Sequence, residues 1–284
     1  MSTKTLDKIP EFDASEEVAH GASGVGDMSS FASGTGKRSA AEFAAILLVA
    51  VVVIGGLEAY LRIRDVPDYI FPTPSAIASA LWSEFPTIWP HLVDTVFQFA
   101  IGYSIGAAVG ILLAATITQA PFAEKIIAPY ILILVTTPML ALVPLLILNF
   151  GFGYAPRVIA CALAVGPMVM INSATGFRRV DLGKIALARS YGATTLQTFT
   201  KVRVPMAMPM IIVGLMIGAI FGLLTTVGAE MTAGGFGLGS RLTNYSAVLR
   251  MPEFFAVLVI LSTFGILIYS FFFWLGQRLV GWQS

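Results

Sequence analysis

Six long apolar stretches decide what this chain can fold into, since about 20 mostly apolar residues form a helix that spans a bilayer. They lie at residues 41–61, 92–117, 128–150, 157–176, 206–229 and 254–276. Charged residues are only 12% of the chain, against about 25% in a soluble domain. The sequence therefore predicts an all-α membrane protein with six transmembrane helices.

The segments outside these helices differ in character. Residues 1–40 mix Ser, Gly, Thr and charges without apolar periodicity, which predicts a disordered cytoplasmic tail. Residues 62–91 contain five prolines, and we expect an extracytoplasmic segment that is too polar and broken to span. Within it, Ser75–Phe85 has the pattern of an interfacial amphipathic helix. We expect residues 92–278 to form the membrane core, with residues 41–61 as the first transmembrane helix before it.

The distribution of Lys and Arg predicts the orientation. With a cytoplasmic N-terminus, twelve of these residues fall on the cytoplasmic side and five on the other, counting Arg157 among the outer connecting residues. This bias matches the positive-inside rule and predicts an N-in, C-in topology.

Ionisable side chains are missing from the depth of the predicted spans. Within the bounds above, and with Arg157 counted outside, the third to sixth spans carry none, while Glu58, Asp94 and Glu230 lie near span ends that water reaches. Ion-coupled carriers need such groups at depth. No phosphate-binding loop, metal-ligand spacing, catalytic constellation or nucleic-acid-binding basic stripe is present. We therefore expect that the chain is not an enzyme. It forms either a transport pathway driven by another subunit or an energy-independent channel or facilitator.

Glycines recur at every fourth position in two predicted spans: Gly102, Gly106, Gly110, Gly214, Gly218 and Gly222. Small residues let helices in lipid approach closely. The pattern fits packing within the chain or a contact between subunits. Prolines 138, 144 and 167 lie inside predicted spans and free carbonyl groups that a neighbour or a polar cavity must satisfy.

The cytoplasmic loop at residues 177–205 is far longer than a helix hairpin needs. It contains two short helical patterns, with Leu182, Ile185 and Arg189 sharing one face and Leu196, Phe199 and Val202 sharing another. Gly192 can form a left-handed turn between them, and Pro205 ends the second before the next span. These apolar faces indicate docking to a partner or to the lipid surface.

The loop resembles that of ABC importer permeases, whose pattern is E-A-A-x3-G-x9-I-x-L-P. Here Ala186, Leu187 and Ala188 are followed at that spacing by Gly192 and by the segment Val202 to Pro205. The family's leading glutamate is Ala186 in this chain. The segments FPTPSAI, TPMLALVPLLILNFGFG, GFRRVD, ALARSYGAT and AEM-TAGGFGLG are similar to the nitrate, sulfonate and taurine branch. The resemblance covers roughly residues 70–280.

This resemblance implies a type I ABC importer permease fold in a bacterial inner membrane. It implies a homodimer, two cytoplasmic ATPase subunits that bind ATP and Mg²⁺, an extracytoplasmic solute-binding protein, and no cofactor in this chain. The expected substrate is a small organic or inorganic anion such as a sulfonate, nitrate or aromatic acid, with a vitamin or thiamine precursor as the alternative. The expected ATPase-coupling residues are Leu182, Ile185, Ala186, Ala188, Arg189, Tyr191, Gly192, Thr194, Phe199, Val202 and Pro205.

Candidate pathway residues lie in or beside the third to fifth spans: Met139, Asn149, Asn172, Glu230 and Met231. The amides of Asn149 and Asn172 can face a cavity or bond a neighbouring helix. Glu230 and Met231 can line an outer gate or meet the binding protein. A glutamate at a helix end can equally extend its side chain into water.

Overall fold

The computed structural model describes residues 40–280 and is almost entirely helical there. The helices are α1 (Ala40–Ile63), α2 (Pro74–Gln119), α3 (Pro121–Thr136), α4 (Met139–Phe150), α5 (Tyr154–Arg178), α6 (Leu182–Ser190), α7 (Thr195–Thr198), α8 (Val204–Ala233), α9 (Leu238–Ala247) and α10 (Met251–Leu279). The predicted disordered tail lies outside the described residues, except for its last position. The all-α prediction is confirmed for the described range.

Five helical runs in the described chain are long and apolar enough to span a membrane: α1, α2, α5, the run Thr195–Ala233 and α10. The pair α3 and α4 adds a sixth if it is counted as one bent span. Up to residue 59, α1 belongs to a separate compact unit, and the remaining helices form the other. The outer end of each helix below is the extracytoplasmic end in the predicted orientation.

The second span is longer than the sequence indicates. We expected residues 62–91 to be broken, but α2 begins at Pro74 and continues through Pro86 and Pro90. Thr73 caps its first turn by accepting a hydrogen bond from the N–H of Ala76 at 3.3 Å, and proline is well tolerated at the helix start. The predicted Ser75–Phe85 helix is therefore the first part of a 46-residue helix.

The predicted third span, residues 128–150, is not one straight helix. It consists of α3 and α4, which meet at an angle of 98°. Thr137 is extended, with φ −78° and ψ 125°, because the ring of the following Pro138 disfavours a helical conformation at the preceding residue. The prediction of a continuous helix was wrong at this point, and the bend opens space beside α5 and α8.

The glycine repeats of α2 and α8 both pack against α5. A Cβ atom on Gly106 would lie 2.6 Å from the carbonyl oxygen of Ala162, and one on Gly218 would lie 2.8 Å from Cγ2 of Val169. Such distances are too short for a side chain, so these glycines permit close approach of the three helices. The structure therefore favours packing within the chain over a contact between subunits.

Candidate functional site

The loop at residues 177–205, which is cytoplasmic in the predicted orientation, contains two capped helices joined at a glycine. Asp181 begins α6 by accepting the N–H of Gly183 at 2.7 Å. Thr194 and Gln197 begin α7 with reciprocal side-chain to backbone hydrogen bonds of 3.2 and 2.9 Å, a capping box. Between them, Gly192 has φ +82°, in the left-handed region that the sequence predicts. Local side-chain chemistry thus fixes the shape of the loop.

The predicted apolar faces of this loop are divided between the interior and the solvent. Ile185 is buried, and the ring of Phe199 packs 5.1 Å from that of Phe177, while Val202 is half-buried. The exposed apolar side chains are Leu182, Leu187, Tyr191 and Leu196. The two predicted faces are therefore not continuous docking surfaces, because their central residues anchor the loop to the bundle.

A shallow cleft of about 510 Å³ is formed by the loop itself. Its lining residues are Ala188, Tyr191, Gly192, Ala193, Gln197, Thr198, Lys201 and Val202. The structure thus brings together Ala188, Tyr191, Gly192 and Val202 of the predicted coupling residues. Ala186, Arg189 and Thr194 are exposed but do not line this cleft. Pro205 is half-buried within a helix.

Pro205 does not end the second helix of the loop, contrary to the expectation from sequence. The chain passes from α7 through a π-helical turn, Phe199–Arg203, directly into α8. Proline lacks an N–H and is tolerated in the first turn of a helix, and α8 has its proline there. The run Thr195–Ala233 is therefore one helical segment of 39 residues.

A cavity of about 330 Å³, the bend cavity, lies where α3 and α4 meet α5 and α8. It is lined by Leu134, Val135, Thr137, Pro138, Met139, Leu140, Leu163, Ala164, Pro167, Met168, Phe221, Leu224 and Thr225. None of these described residues is ionisable, and the polar side chains among them are the hydroxyls of Thr137 and Thr225. Pro138 and Pro167 both line this cavity. This agrees with the expectation that a proline inside a span frees carbonyl groups that a neighbour or a cavity must satisfy.

Of the five candidate pathway residues, the structure places only Met139 at the bend cavity. The amide of Asn149 donates to the carbonyl of Leu145 in its own helix at 2.8 Å. Asn172 donates to the carbonyl of Met168 at 2.8 Å and packs beside Gly214 of α8. Met231 is 44% exposed near the outer end of α8. Both amides thus donate within their own helices, which is neither of the two alternatives expected from the sequence.

Glu230 is fully buried, with an exposed fraction of 0%, although the sequence placed it where water reaches. Its carboxylate accepts hydrogen bonds from the hydroxyl of Thr95 at 2.9 Å and the amide of Gln98 at 3.2 Å, both on α2. It also accepts the N–H of Gly239 at 2.9 Å. The expectation failed because α9 folds back over the last turn of α8 and covers this side chain.

Three consecutive N–H groups at the start of α9 are each bound by a side chain. Gly237 donates to Nδ1 of His91 at 3.2 Å, Leu238 donates to Oγ1 of Thr95 at 2.8 Å, and Gly239 donates to Glu230. The first N–H groups of a helix have no partner within it, and a carboxylate is favoured there by the helix dipole. Gly237 has φ +93°, and a Cβ atom on it would clash with the Glu230 carboxyl group.

Arg157 binds carbonyl oxygens at and just beyond the end of α8, whereas Glu230 binds an N–H group at the start of α9. Its guanidinium donates to the carbonyl oxygens of Gly234 and Phe236, the latter at 3.2 Å, and to Oε1 of Gln98 at 3.4 Å. A cation is favourable beside the carbonyl groups that end a helix. Arg157 is only 3% exposed, and Gln98 bridges it to Glu230. We name the five side chains His91, Thr95, Gln98, Arg157 and Glu230 the outer clamp.

Sequence reasoning missed the outer clamp because it considered charges within predicted spans one at a time. The signal was present in α2, where His91, Thr95 and Gln98 are spaced i, i+4 and i+7 and so share one helix face. Polar side chains on one face of an apolar helix require polar partners. Arg157 and Glu230 supply the charges, and no group of three His, Cys, Asp or Glu metal ligands occurs among residues 40–280.

An ionic corner stabilises the outer ends of α2, α9 and α10. Arg250 bonds Glu253 at 2.6 Å and Glu84 at 2.9 Å, and these bonds raise its pKa. The phenol of Tyr245 donates to Glu84 at 3.3 Å. Burial, and next the charge of Glu84, raise the pKa of Tyr245, so its hydroxyl stays a donor over the ordinary pH range.

The described residues form a helical membrane protein with a bent span, an open cavity beside the bend and a capped loop on the predicted cytoplasmic side. Broken spans that border a cavity are typical of transport proteins. The family described as the binding-protein-dependent transport system inner membrane component matches residues 106–281. The chain belongs to this family. It is a permease subunit of a binding-protein-dependent ABC importer, a multi-pass inner-membrane protein and a transport component rather than an enzyme.

Individual relatives agree with this placement. A probable ABC transporter permease protein of Haemophilus influenzae is 26% identical over 82% of this chain and 96% of its own length. A putative aliphatic sulfonates transport permease protein of Escherichia coli is 29% identical over 80% of this chain and 86% of its own. An inward-facing MetNI methionine ABC transporter structure is similar over 70% of this chain and 96% of that chain, at 21% identity and a TM-score of 0.56. This similarity confirms the predicted fold class.

Proposed function

We propose that this permease subunit forms the pathway of an ATP-driven importer for a small organic anion of the sulfonate type. It would act as a homodimer with two cytoplasmic ATPase subunits and an extracytoplasmic solute-binding protein. The observation that carries the choice of an anion is the position of the α4 N-terminus. The first residues of α4, Met139 and Leu140, line the bend cavity.

The electrostatics of the bend cavity support this choice. The first turn of α4 has no side-chain cap, so its N–H groups provide partial positive charge at the cavity. Half-helices whose N-termini point at an anionic substrate group recur in transporters with broken spans. The hydroxyls of Thr137 and Thr225 can add hydrogen bonds to sulfonate oxygens. The similarity to an aliphatic sulfonate permease points to the same substrate class.

The absence of ionisable side chains among the described lining residues fits a transient site. A full positive charge beside the substrate would hold an anion tightly and slow its release. Dipoles and hydroxyls stabilise the charge weakly, so the solute-binding protein would provide most of the selectivity. A cavity of about 330 Å³ is at the low end of the roughly 300–1,000 Å³ found for small-molecule sites, which fits a small solute.

The proposal is tested by reconstituting this chain with its ATPase and binding protein in vesicles. We expect radiolabelled ethanesulfonate to accumulate above its external concentration when ATP is present on the ATPase side. Nitrate, benzoate and riboflavin serve as competitors, and ethanesulfonate should be displaced least by riboflavin. Equal uptake with and without ATP would instead indicate a facilitator, and accumulation of riboflavin alone would refute the substrate class.

Replacing Met139 with Trp tests the bend cavity as the route. The larger side chain would fill the cavity, so we expect ethanesulfonate uptake to be lost while the ATPase subunits still hydrolyse ATP. Met231→Trp is the matched control, because Met231 does not line the cavity and is partly exposed. Loss of uptake in the Met231 variant alone would place the route at the outer end of α8.

A further inference from the structure

His91 on α2 makes a contact that exists in only one of its two charge states. Its Nδ1 atom accepts the backbone N–H of Gly237 at 3.2 Å, and Gly237 immediately precedes α9. An imidazole nitrogen accepts a hydrogen bond only when it carries no proton, and both nitrogens of the protonated ring are donors. The ring is therefore neutral in this structure, with its proton on Nε2, and protonation would set two donors against each other.

The neighbouring N–H groups at the start of α9 are bound by side chains that respond differently to protons. Oγ1 of Thr95 accepts the N–H of Leu238 at 2.8 Å, and a threonine hydroxyl does not titrate. Glu230 accepts the N–H of Gly239 at 2.9 Å, and a protonated carboxyl group still has an acceptor oxygen. Among these three contacts, only that of His91 is lost outright when its acceptor takes up a proton.

The charges around His91 oppose a protonated ring from the side of α9. Arg241 on α9 is close enough to interact with the imidazole, as is Asp94 one turn further along α2. A protonated ring would place a second positive charge against Arg241 across the contact of the two helices, and like charges repel. Asp94 already accepts the phenol of Tyr154 on α5 at 2.7 Å. The outer clamp adds Glu230 on α8 and Arg157 on α5, and the ionic corner adds Glu84, Tyr245, Arg250 and Glu253.

Protons reach His91 from one side of the membrane. The side chain is half-buried and lies towards the outer end of α2 in the predicted orientation, whereas Glu230 is fully buried. An unperturbed imidazole has a pKa of about 6.5, so it titrates in the mildly acidic range. Acidification of the extracytoplasmic side can therefore break this contact without any ligand.

Loss of this contact would loosen the outer end of a helix that borders the proposed route. The N–H of Gly237 would have no acceptor, and α9 covers the last turn of α8, to which Glu230 binds it. The same helix α8 contributes Phe221, Leu224 and Thr225 to the lining of the bend cavity. Movement at the start of α9 is therefore transmitted to α8 through Glu230.

We propose that neutral His91 is a positioning residue that fixes the start of α9 on α2, and that its protonation from the extracytoplasmic side slows import. The slowing of import rests on the proposed function of the chain. The contact itself does not, so the two are measured separately in the full-length protein.

Hydrogen exchange of the purified full chain in micelles, read at single-residue resolution, measures the contact. Between about pH 7.5 and about pH 5.0, we expect protection of the Gly237 amide, corrected for the intrinsic exchange rate, to fall about fivefold, which corresponds to one hydrogen bond of about 1 kcal/mol. In His91→Asn, the side-chain oxygen can accept at the position of Nδ1 and does not titrate, so protection should be equal at the two pH values. No fall in the unmodified chain, or the same fall in the variant, would overturn the inference.

Uptake is measured in vesicles that carry this chain and its ATPase, with ATP and a neutral buffer inside and the binding protein outside. The probe is whichever of ethanesulfonate, nitrate, benzoate and riboflavin is transported best at neutral pH. We expect an outside pH of about 5.0 to slow uptake by the unmodified chain, whereas His91→Asn should keep the rate that it has at neutral pH. His91→Lys, which stays charged at both pH values, should transport slowly at both. His20→Asn is the matched control, because His20 is the other histidine of the chain and lies outside the described residues, and it should respond to acid like the unmodified chain.

The outcomes separate this inference from the proposed function. Acid-slowed uptake that persists in His91→Asn would assign the titration to another group, such as Glu230 or the binding protein, and would overturn the inference. Uptake by the unmodified chain that does not change with the outside pH, or a His20→Asn chain that no longer responds to acid, would overturn it as well. If no probe is transported at either pH although the exchange result is as expected, the proposed function has failed and the positioning of α9 by His91 stands.

Discussion

Replacing Glu230 with Ala should destabilise this protein far more than its place at the end of a span suggests. The substitution removes the acceptor for Thr95, Gln98 and the N–H of Gly239. It also removes one of the two carboxylate charges near the buried Arg157, the other being that of Asp94. Leaving a buried donor without its acceptor costs about 1–3 kcal/mol, and three donors lose theirs here, so we expect a loss of at least about 3 kcal/mol. Native domains are stable by only about 5–15 kcal/mol, so a large part of the total is at risk.

The chain contains a matched control on the same helix. Arg178, at the inner end of α5, pairs with Glu124 at 2.7 Å, but the two side chains are 51% and 40% exposed. Exposed ion pairs contribute about 0–1 kcal/mol. Glu124→Ala should therefore have little effect, although it also removes a carboxylate that is paired with an arginine of α5.

The assay is reversible unfolding of the purified full chain in mixed micelles, followed by helix content as the denaturing detergent is increased. The free energies of unfolding of the two variants are compared with that of the unmodified chain under identical lipid conditions. If Glu230→Ala lies within 1 kcal/mol of Glu124→Ala, a difference well below the loss of about 3 kcal/mol or more expected for three buried donors, the outer clamp does not stabilise the fold and the reasoning is refuted.

Three further substitutions test other parts of the structure. Gly192→Val forces a β-branched residue to φ +82° at a cost of about 1–3 kcal/mol, and we expect ATP hydrolysis without uptake. Thr195→Val, at an exposed position that does not line the loop cleft, should transport normally. Gly106→Ala places a Cβ 2.6 Å from a carbonyl oxygen and should lower the free energy of unfolding by about 1–3 kcal/mol. Gly265→Ala meets no atom closer than 3.9 Å and should not lower it. Pro138→Ala removes the restraint on the bend, and reduced uptake at unchanged ATP hydrolysis would show that the bend is required.

The sequence was sufficient where the physical signal is local. The apolar stretches located the five helical runs of the described chain that are long enough to span a membrane, and the bent pair α3 and α4 lies where the remaining stretch was predicted. Length and hydropathy alone determine whether a helix suits a bilayer. The turn at Gly192 was also predictable, since few residues other than glycine adopt a positive φ. The spacing of the cytoplasmic loop indicated the family that the comparisons then showed.

Features that depend on tertiary contacts were not predictable in this way. The prolines of α2 lie in a continuous helix, whereas Pro138 coincides with a sharp bend, and sequence alone does not distinguish these outcomes. Glu230 was expected to reach water because nothing in its neighbourhood reveals that α9 returns over it. Asn149 and Asn172 were candidates for a pathway, but both donate to a carbonyl one turn back in their own helices.

The unbroken passage from α7 into α8 has a mechanical consequence. At 1.5 Å per residue, the 39 residues from Thr195 to Ala233 extend about 58 Å, so a tilt of about 5° around the midpoint displaces each end by roughly 2.5 Å. Hydrogen bonds tolerate only a few tenths of an ångström, since N–H to O distances cluster within about 2.7–3.2 Å. If this segment tilts, Glu230 and the residues hydrogen-bonded to it must therefore move together with its outer end. Any relative displacement must then occur at other helix contacts.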